Sequence, residues 1–329
     1  MNDVVRWGIV STAKIGRQKV IPGIQAAPNC EVVAIGGRDA DRTRAVADDC
    51  GIPTAYGSYE ALLEAPDVDA VYVPLPNHLH AEWTNPAAQA GKHVLCEKPL
   101  ALDAAEAQTI VDACDAAGVL LMEAFMYRLH PTWRTVVELV RSGRIGTLTT
   151  VQSWFSYFND DPTNIRNIAE YGGGALMDIG CYPVNLSRLL FAGEPERVSA
   201  AITRDPSSGV DVVTAGVLEF AGGTSSFCCS TRTEPDQRVH VYGTDGIITL
   251  EIPFNIPPDR PTRIHVTAGG APPADPAFEE ITFEPIDQYA IEAESFASAV
   301  LGAGSLPFEP QDAVANMAVI DRLVAADTD

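Results

Sequence analysis

The chain has 329 residues, 46% hydrophobic and 20% charged, a balance that excludes a disordered protein. It exceeds the roughly 250–300 residues at which one core stops growing, so two domains are expected. Asp and Glu total 44 against 22 Lys and Arg, for a net charge of -22; so acidic a surface repels phosphate backbones and anionic headgroups, which excludes nucleic acid and membrane as expected partners.

No apolar run reaches the ~20 residues of a spanning helix. The start, MNDVVRWGIVS, lacks the basic-then-apolar order of a secretory signal, and the cytoplasm is the expected compartment. The seven cysteines form no C-x-x-C pair, and no His stands at zinc spacing from any of them. Free thiols in a reducing compartment, and no metal, are the expectation.

In chain order, strands are expected at 4–10, 31–35, 70–73, 93–96 and 119–122, with helices at 15–27, 40–50, 59–64, 81–90 and 104–117 between them. Such alternation makes βαβ units and a parallel sheet. Gly91 and Gly118 end two of the helices, and Pro22 should kink or interrupt the first. After Arg128 a helix at 131–142 leads into β-rich runs at 147–158, 197–203, 212–220, 224–230, 238–242, 247–252, 263–266 and 279–283, separated by turn signals such as Ala221-Gly222-Gly223. That spacing describes a mostly antiparallel sheet. Helices at 288–300 and 311–326 close the chain. The fold class is α/β: a parallel-sheet βαβ domain over 1–125, then an α+β domain over 126–329 on an open, mostly antiparallel sheet.

The first strand carries Gly8 and runs into Ser11-Thr12-Ala13-Lys14-Ile15-Gly16. A dinucleotide fold wants G-x-G-x-x-G there, so that backbone can approach a pyrophosphate at a helix N-terminus. Ser11, Ala13 and Gly16 hold the three positions, two of them with the next smallest residues. The second strand ends in Gly37-Arg38, where an NAD site usually places an acid for the ribose 2′-hydroxyl. A small residue followed by Arg suits a 2′-phosphate, which favours NADP with NAD as the alternative; the plainer reading of Arg38 is a solvated surface residue. Asp39 is expected to cap the next helix.

Two strand ends then share the ligand-binding edge of the sheet. One carries Pro74, Leu75, Asn77 and His80; the other carries Glu97-Lys98-Pro99. Lys98 is the last lysine of the chain. Further on, Gly172-Gly173-Gly174 precedes Asp178 and Tyr182, four apart and so on one helix face. A phenol beside a carboxylate and an ammonium can exchange a proton with a carbonyl or alcohol, although spacing alone favours a helix cap followed by a core tyrosine.

In combination and order, residues 5–16, 74–80, Glu97-Lys98-Pro99, MEAFMYRLHP at 122–131 and 172–182 resemble the glucose–fructose oxidoreductase/inositol dehydrogenase/MocA superfamily, over nearly the whole chain. MEAFMYR and Tyr182 resemble the branch of dihydrodiol dehydrogenases and NADP-dependent xylose dehydrogenases. Inositol-type members carry His in place of Tyr182 and often an acid in place of Asn185, which argues against an inositol substrate. The resemblance implies a Rossmann domain and a cis Lys98–Pro99 bond. It implies that Lys98 binds the substrate oxygen, that Tyr182 is the general acid/base, and that Asp178 orients the substrate. Glu97 and Asn77 would line the nicotinamide, with His80 and Arg166 also touching the cofactor. The expected function is hydride transfer between NADP(H) and a sugar or cyclic polyol, as oxidation of an aldose at C1 to its lactone or the reverse type of carbonyl reduction. The alternatives are a trans-dihydrodiol dehydrogenase or a non-catalytic NADP-sensing regulator. An exposed sheet face needs a cover, so a homodimer or homotetramer is expected.

Overall fold

The computed structural model describes residues 4–268 and 278–327. Six short strands form a wholly parallel sheet: β1 (Val5–Val10), β2 (Cys30–Gly36), β3 (Thr54–Tyr56), β4 (Ala70–Val73), β5 (His93–Cys96) and β6 (Leu121–Glu123). Helices α1 (Ile21–Ala26), α2 (Ala40–Cys50), α3 (Tyr59–Leu63), α4 (His80–Gln89) and α5 (Ala104–Ala117) connect them. The order β3-β2-β1-β4-β5-β6 reverses direction between β1 and β4, which opens a crevice at their carboxyl ends. Strands covered on both faces need continuous apolar runs, and β4 is buried at every residue. The strand β3 was not expected; its three half-buried residues are too few to show an alternation.

The interruption at Pro22 takes a definite form. Gly16–Val20 makes one wide turn with i→i+5 geometry, and Pro22 then falls in the first turn of α1, where no backbone N–H is needed. Asp39 caps α2 as expected, its side chain accepting from Arg42 N–H at 3.0 Å.

The second region begins with α6 (Pro131–Arg141). Eight strands then form one sheet: β7 (Leu148–Phe158), β8 (Arg197–Arg204), β9 (Asp211–Phe220), β10 (Gly223–Ser230), β11 (Arg232–Gly243), β12 (Gly246–Leu250), β13 (Thr262–Ala268) and β14 (Phe278–Phe283). Their order is β14-β13-β12-β11-β7-β10-β9-β8. Every pairing is antiparallel except β10 with β7. Alternation sends Val151, Phe155, Phe227, Val239 and Val241 to a buried face. Between β7 and β8, α7 (Cys181–Phe191) packs on that face. It follows another wide turn, Leu176–Gly180, with Pro183 just inside it, the same device as at Pro22.

Helices α8 (Gln288–Val300) and α9 (Gln311–Ala326) end the chain. Compact units are Met1–Met126 with Asp287–Val314, and Tyr127–Ile286 with Ala315–Asp329. The sequence reading drew a single boundary at 125/126, whereas the segment carrying α8 falls in the first unit. The reason is packing: Phe296 lies against Trp7 with ring centroids 5.5 Å apart, and Ala293 and Ala297 join the same core.

Candidate active site

In the first unit, β1 delivers the chain to Ser11, whose φ of 105° lies in the left-handed region. Its N–H donates to Gly36 O at 2.8 Å and its Oγ accepts from Ala13 N–H at 3.0 Å, which folds the loop back on β2. Gly37 has no room for a side chain: a Cβ there would stand 2.2 Å from Thr43 Oγ1 and 3.5 Å from Thr12 Cγ2. Thr43 cannot move aside cheaply, because its hydroxyl donates to Asp39 O at 2.6 Å. The strand end therefore excludes an acid by packing and leaves the exposed Arg38 as its first side chain. This loop, lined by Ser11, Thr12, Ala13 and Gly37 at the crevice of a doubly wound sheet, fits a dinucleotide. Gly8 lies inside β1 against Val68 and Leu62, and Ile15 packs on the core; both support the loop from below.

The ends of β4 and β5 are stitched together. Glu97 N–H donates to Val73 O at 3.1 Å. The Lys98–Pro99 bond is cis, as the resemblance implied. His80 is fully buried, with Nδ1 2.9 Å from Pro99 O and Nε2 2.9 Å from Leu75 O. Two carbonyls ask for two N–H donors, but burial opposes the charge and pushes the His80 pKa down to about 4. The neutral ring thus donates to one carbonyl and sits against the other. Pro74 and Leu75 are buried and Asn77 is half-buried in the turn that follows β4. Leu100 N–H donates to Glu123 Oε1 at 2.8 Å. These contacts fix the backbone on both sides of Lys98, and the lysine is itself half-buried.

In the second unit, Gly174 has a φ of 121°, and a Cβ there would stand 2.0 Å from Asp211 Oδ1. Asp211 caps the site helix: its Oδ2 accepts from Leu176 N–H and from Thr214 Oγ1, both at 2.7 Å. Asp178 then accepts from the Tyr157 hydroxyl at 2.5 Å and pairs with Arg166 Nε at 2.8 Å. Asp178 lies in the wide turn Leu176–Gly180, which runs directly into α7, where Tyr182 stands four residues on. Tyr182, 4% exposed, is boxed by Tyr127, Phe155 and Phe254 at centroid distances of 5.8, 5.6 and 5.3 Å. Tyr127 is anchored in turn by donating to Asn185 Oδ1 at 2.6 Å.

Each unit thus assembles part of the expected set. One joins Ser11, Thr12 and Gly37, and separately ties His80 to the turn holding Glu97 and Lys98. The other joins Arg166 to Asp178 and boxes Tyr182. Sequence reasoning missed Tyr157, Asp211 and Tyr127. Tyr157 reads as one polar member of an alternating strand, and its bond to Asp178 spans 21 residues. A Gly-rich turn calling for a buried cap was the available signal for Asp211.

The first part of the chain, residues 5–125, matches the model described as the oxidoreductase family, NAD-binding Rossmann fold, and residues 133–249 match the GFO/IDH/MocA C-terminal domain. The chain belongs to the GFO/IDH/MocA oxidoreductase family. A D-xylose 1-dehydrogenase (NADP(+)) from Haloferax volcanii is 43% identical over 319 residues, 96% of this chain and 95% of that protein. A trans-1,2-dihydrobenzene-1,2-diol dehydrogenase from Xenopus tropicalis is 36% identical over 250 residues, 74% of each chain. The crystal structure of a 3-ketoreductase from Actinomadura kijaniata, in complex with NADP and TDP-benzene, superposes with a TM-score of 0.90 at 32% identity, covering 98% of both chains. The chain is therefore an oxidoreductase with a nicotinamide-dinucleotide domain, and the reading as a non-catalytic regulator is set aside.

Proposed function

We propose that this family member transfers a hydride between NADP(H) and a sugar or cyclic polyol, with oxidation of an aldose at C1 as its reaction. The observation that carries this reading is full-length similarity to an NADP-dependent D-xylose dehydrogenase in a chain that keeps Lys98, Asp178 and Tyr182. When bound, NADP+ would supply the acceptor for the hydride of the carbinol carbon. Tyr182 removes the hydroxyl proton as that hydride leaves. The Lys98 ammonium donates to the same oxygen and, near the phenol, favours its ionised form. Asp178, held by Tyr157 and Arg166, orients the sugar. Gly8, Ser11, Thr12, Ala13 and Ile15 form or support the pyrophosphate loop, and Gly37 with Arg38 receives the 2′-phosphate. Pro74, Leu75, Asn77, Glu97 and Lys98 border the nicotinamide. His80 serves it through the two loops it joins, and Arg166 serves it through Asp178.

The test is turnover of a panel of aldoses, polyols and trans-dihydrodiols with NADP+ and NAD+, followed at the nicotinamide absorbance. Aldose oxidation with NADP+ is expected; exclusive use of a dihydrodiol would move the assignment to that branch. Among the described residues no helix is long and apolar enough to cross a membrane, and the compartment we propose is the cytoplasm. We also propose a homodimer or homotetramer. Its contact would be the sheet face carrying Gln152, Trp154, Ser226, Cys228, Arg238 and His240, which line a depression of 410 Å³.

A further inference from the structure

Helix α8 carries a buried carboxyl group, Glu292, within electrostatic reach of Glu97 at the end of β5. Glu292 is 1% exposed, and its Oε1 has no hydrogen-bond partner among the described residues. The titratable groups that face it are Glu97 just past β5, Tyr72 on β4, and Tyr289 and Asp287 at the start of α8. None of these is a cation. A buried, unpartnered polar atom requires an explanation, and the packing of α8 does not supply one.

Glu97 is differently placed. Tyr72 Oη donates to its Oε1 at 2.7 Å, and the Lys98 backbone N–H donates to its Oε2 at 3.3 Å. Donors stabilise a carboxylate, so Glu97 keeps the charge. Glu292 is buried and Glu97 half-buried, and with the Glu97 charge beside it Glu292 ionises only at a penalty, so the pair shares one proton. Burial first, then the Glu97 charge, raise Glu292 well above the usual carboxylate range. The pair as a whole carries one negative charge beside the crevice at β4 and β5.

We propose that Glu292 is a proton-holding partner of Glu97: it keeps its proton in the unliganded protein and beside the reduced, neutral nicotinamide, and gives it to solvent when the oxidised, positively charged nicotinamide is bound. The inference rests on the proposed seating of the nicotinamide beyond β4 and β5. The Glu292 O–H bond breaks, water takes the proton, and nothing is oxidised or reduced in that exchange. A positive charge brought near the pair in a low-dielectric pocket favours its doubly ionised form. By linkage, the oxidised cofactor then binds more tightly as pH rises, and the reduced cofactor does not.

The experiment is calorimetric titration of the full chain with NADP+ and with NADPH, each in two buffers of different ionisation enthalpy, across neutral pH. The 2′-phosphate is common to both cofactors, so its own titration cancels in the comparison. Wild type should release more protons with NADP+ than with NADPH, by up to one per site. The ratio of the two Kd values should change by up to about tenfold per pH unit. In Glu292→Gln both differences should vanish while both cofactors still bind. Equal proton counts in wild type overturn the proposal and leave the functional reading intact; no binding of either cofactor overturns both. If Glu292→Gln does not fold, infrared difference spectra of wild type decide the matter. The carbonyl band of a protonated carboxyl should be lost on adding NADP+ and kept on adding NADPH; a band unchanged by both overturns the proposal.

Discussion

A single phenol and a single ammonium carry the proposed chemistry, and they should fail together. Tyr182→Phe keeps the ring within its box of Tyr127, Phe155 and Phe254 but removes the proton carrier. Its kcat should fall by roughly 10²-fold or more, with little change in cofactor affinity. Lys98→Ala should cost about as much, and the double variant little more, because the proposed chemistry has the two serve one oxygen as a unit. Retention of most turnover by Tyr182→Phe would make the residue a packing element. At the other end of the cofactor, Gly37 is closed by Thr43 and Arg38 is exposed. Arg38→Ala should lower kcat/KM with NADP+ by roughly tenfold to a hundredfold, the range for a hydrogen bond to a charged group, and should leave NAD+ unaffected. A loss shared equally by both cofactors would refute a 2′-phosphate contact.

At the level of elements, two buried side chains set where the reactive ones stand. Asp211 caps the turn that leads to Asp178 and Tyr182. Asp211→Ala leaves Leu176 N–H and the Thr214 hydroxyl without their partner and should cost about 1–3 kcal/mol in urea unfolding, together with a drop in kcat; Asp211→Asn keeps an acceptor and should lose less of both. His80 gives a pH signature. Its pKa falls from 6.5 to about 4 on folding because burial disfavours the charge. The unfolded chain takes up the proton first, so this contribution is complete above pH 6.5 and is lost as pH falls from 6.5 towards 4. It amounts to at most about 3 kcal/mol, from 1.36 kcal/mol per unit. The midpoint of thermal unfolding should drop across that window, and less steeply in His80→Gln. A midpoint flat from pH 6.5 to 4 in wild type would contradict a buried neutral ring.

For the molecule as a whole, the large sheet presents one apolar face to its own core and leaves Trp154, His240 and Arg238 on the other. If a second copy covers that face, Trp154→Arg should shift the species seen by analytical ultracentrifugation from dimer or tetramer to monomer. Unchanged sedimentation would place the contact elsewhere. The chain's charge of -22 makes such an assembly sensitive to ionic strength, since like-charged copies repel beyond the interface. Dissociation on dilution into low salt should be greater than in high salt.

The sequence by itself determined the parallel sheet, the antiparallel sheet and nearly all their strands, because burial on two faces or on one imposes different periodicities on short runs. It singled out Lys98, Asp178 and Tyr182 as candidates, by their places at a strand end and after a Gly-rich turn together with the resemblance to the family. It did not show β3, whose three residues carry no period, nor the wide turns at Gly16–Val20 and Leu176–Gly180. It could not join the segment Asp287–Val314 to the first compact unit, because the choice was made by Phe296 meeting Trp7 across more than half the chain. Nor could it find Tyr157 beside Asp178, or Glu292 facing Glu97. Those pairs lie far apart in sequence, and only the packed fold decides which distant polar atoms must share a buried space.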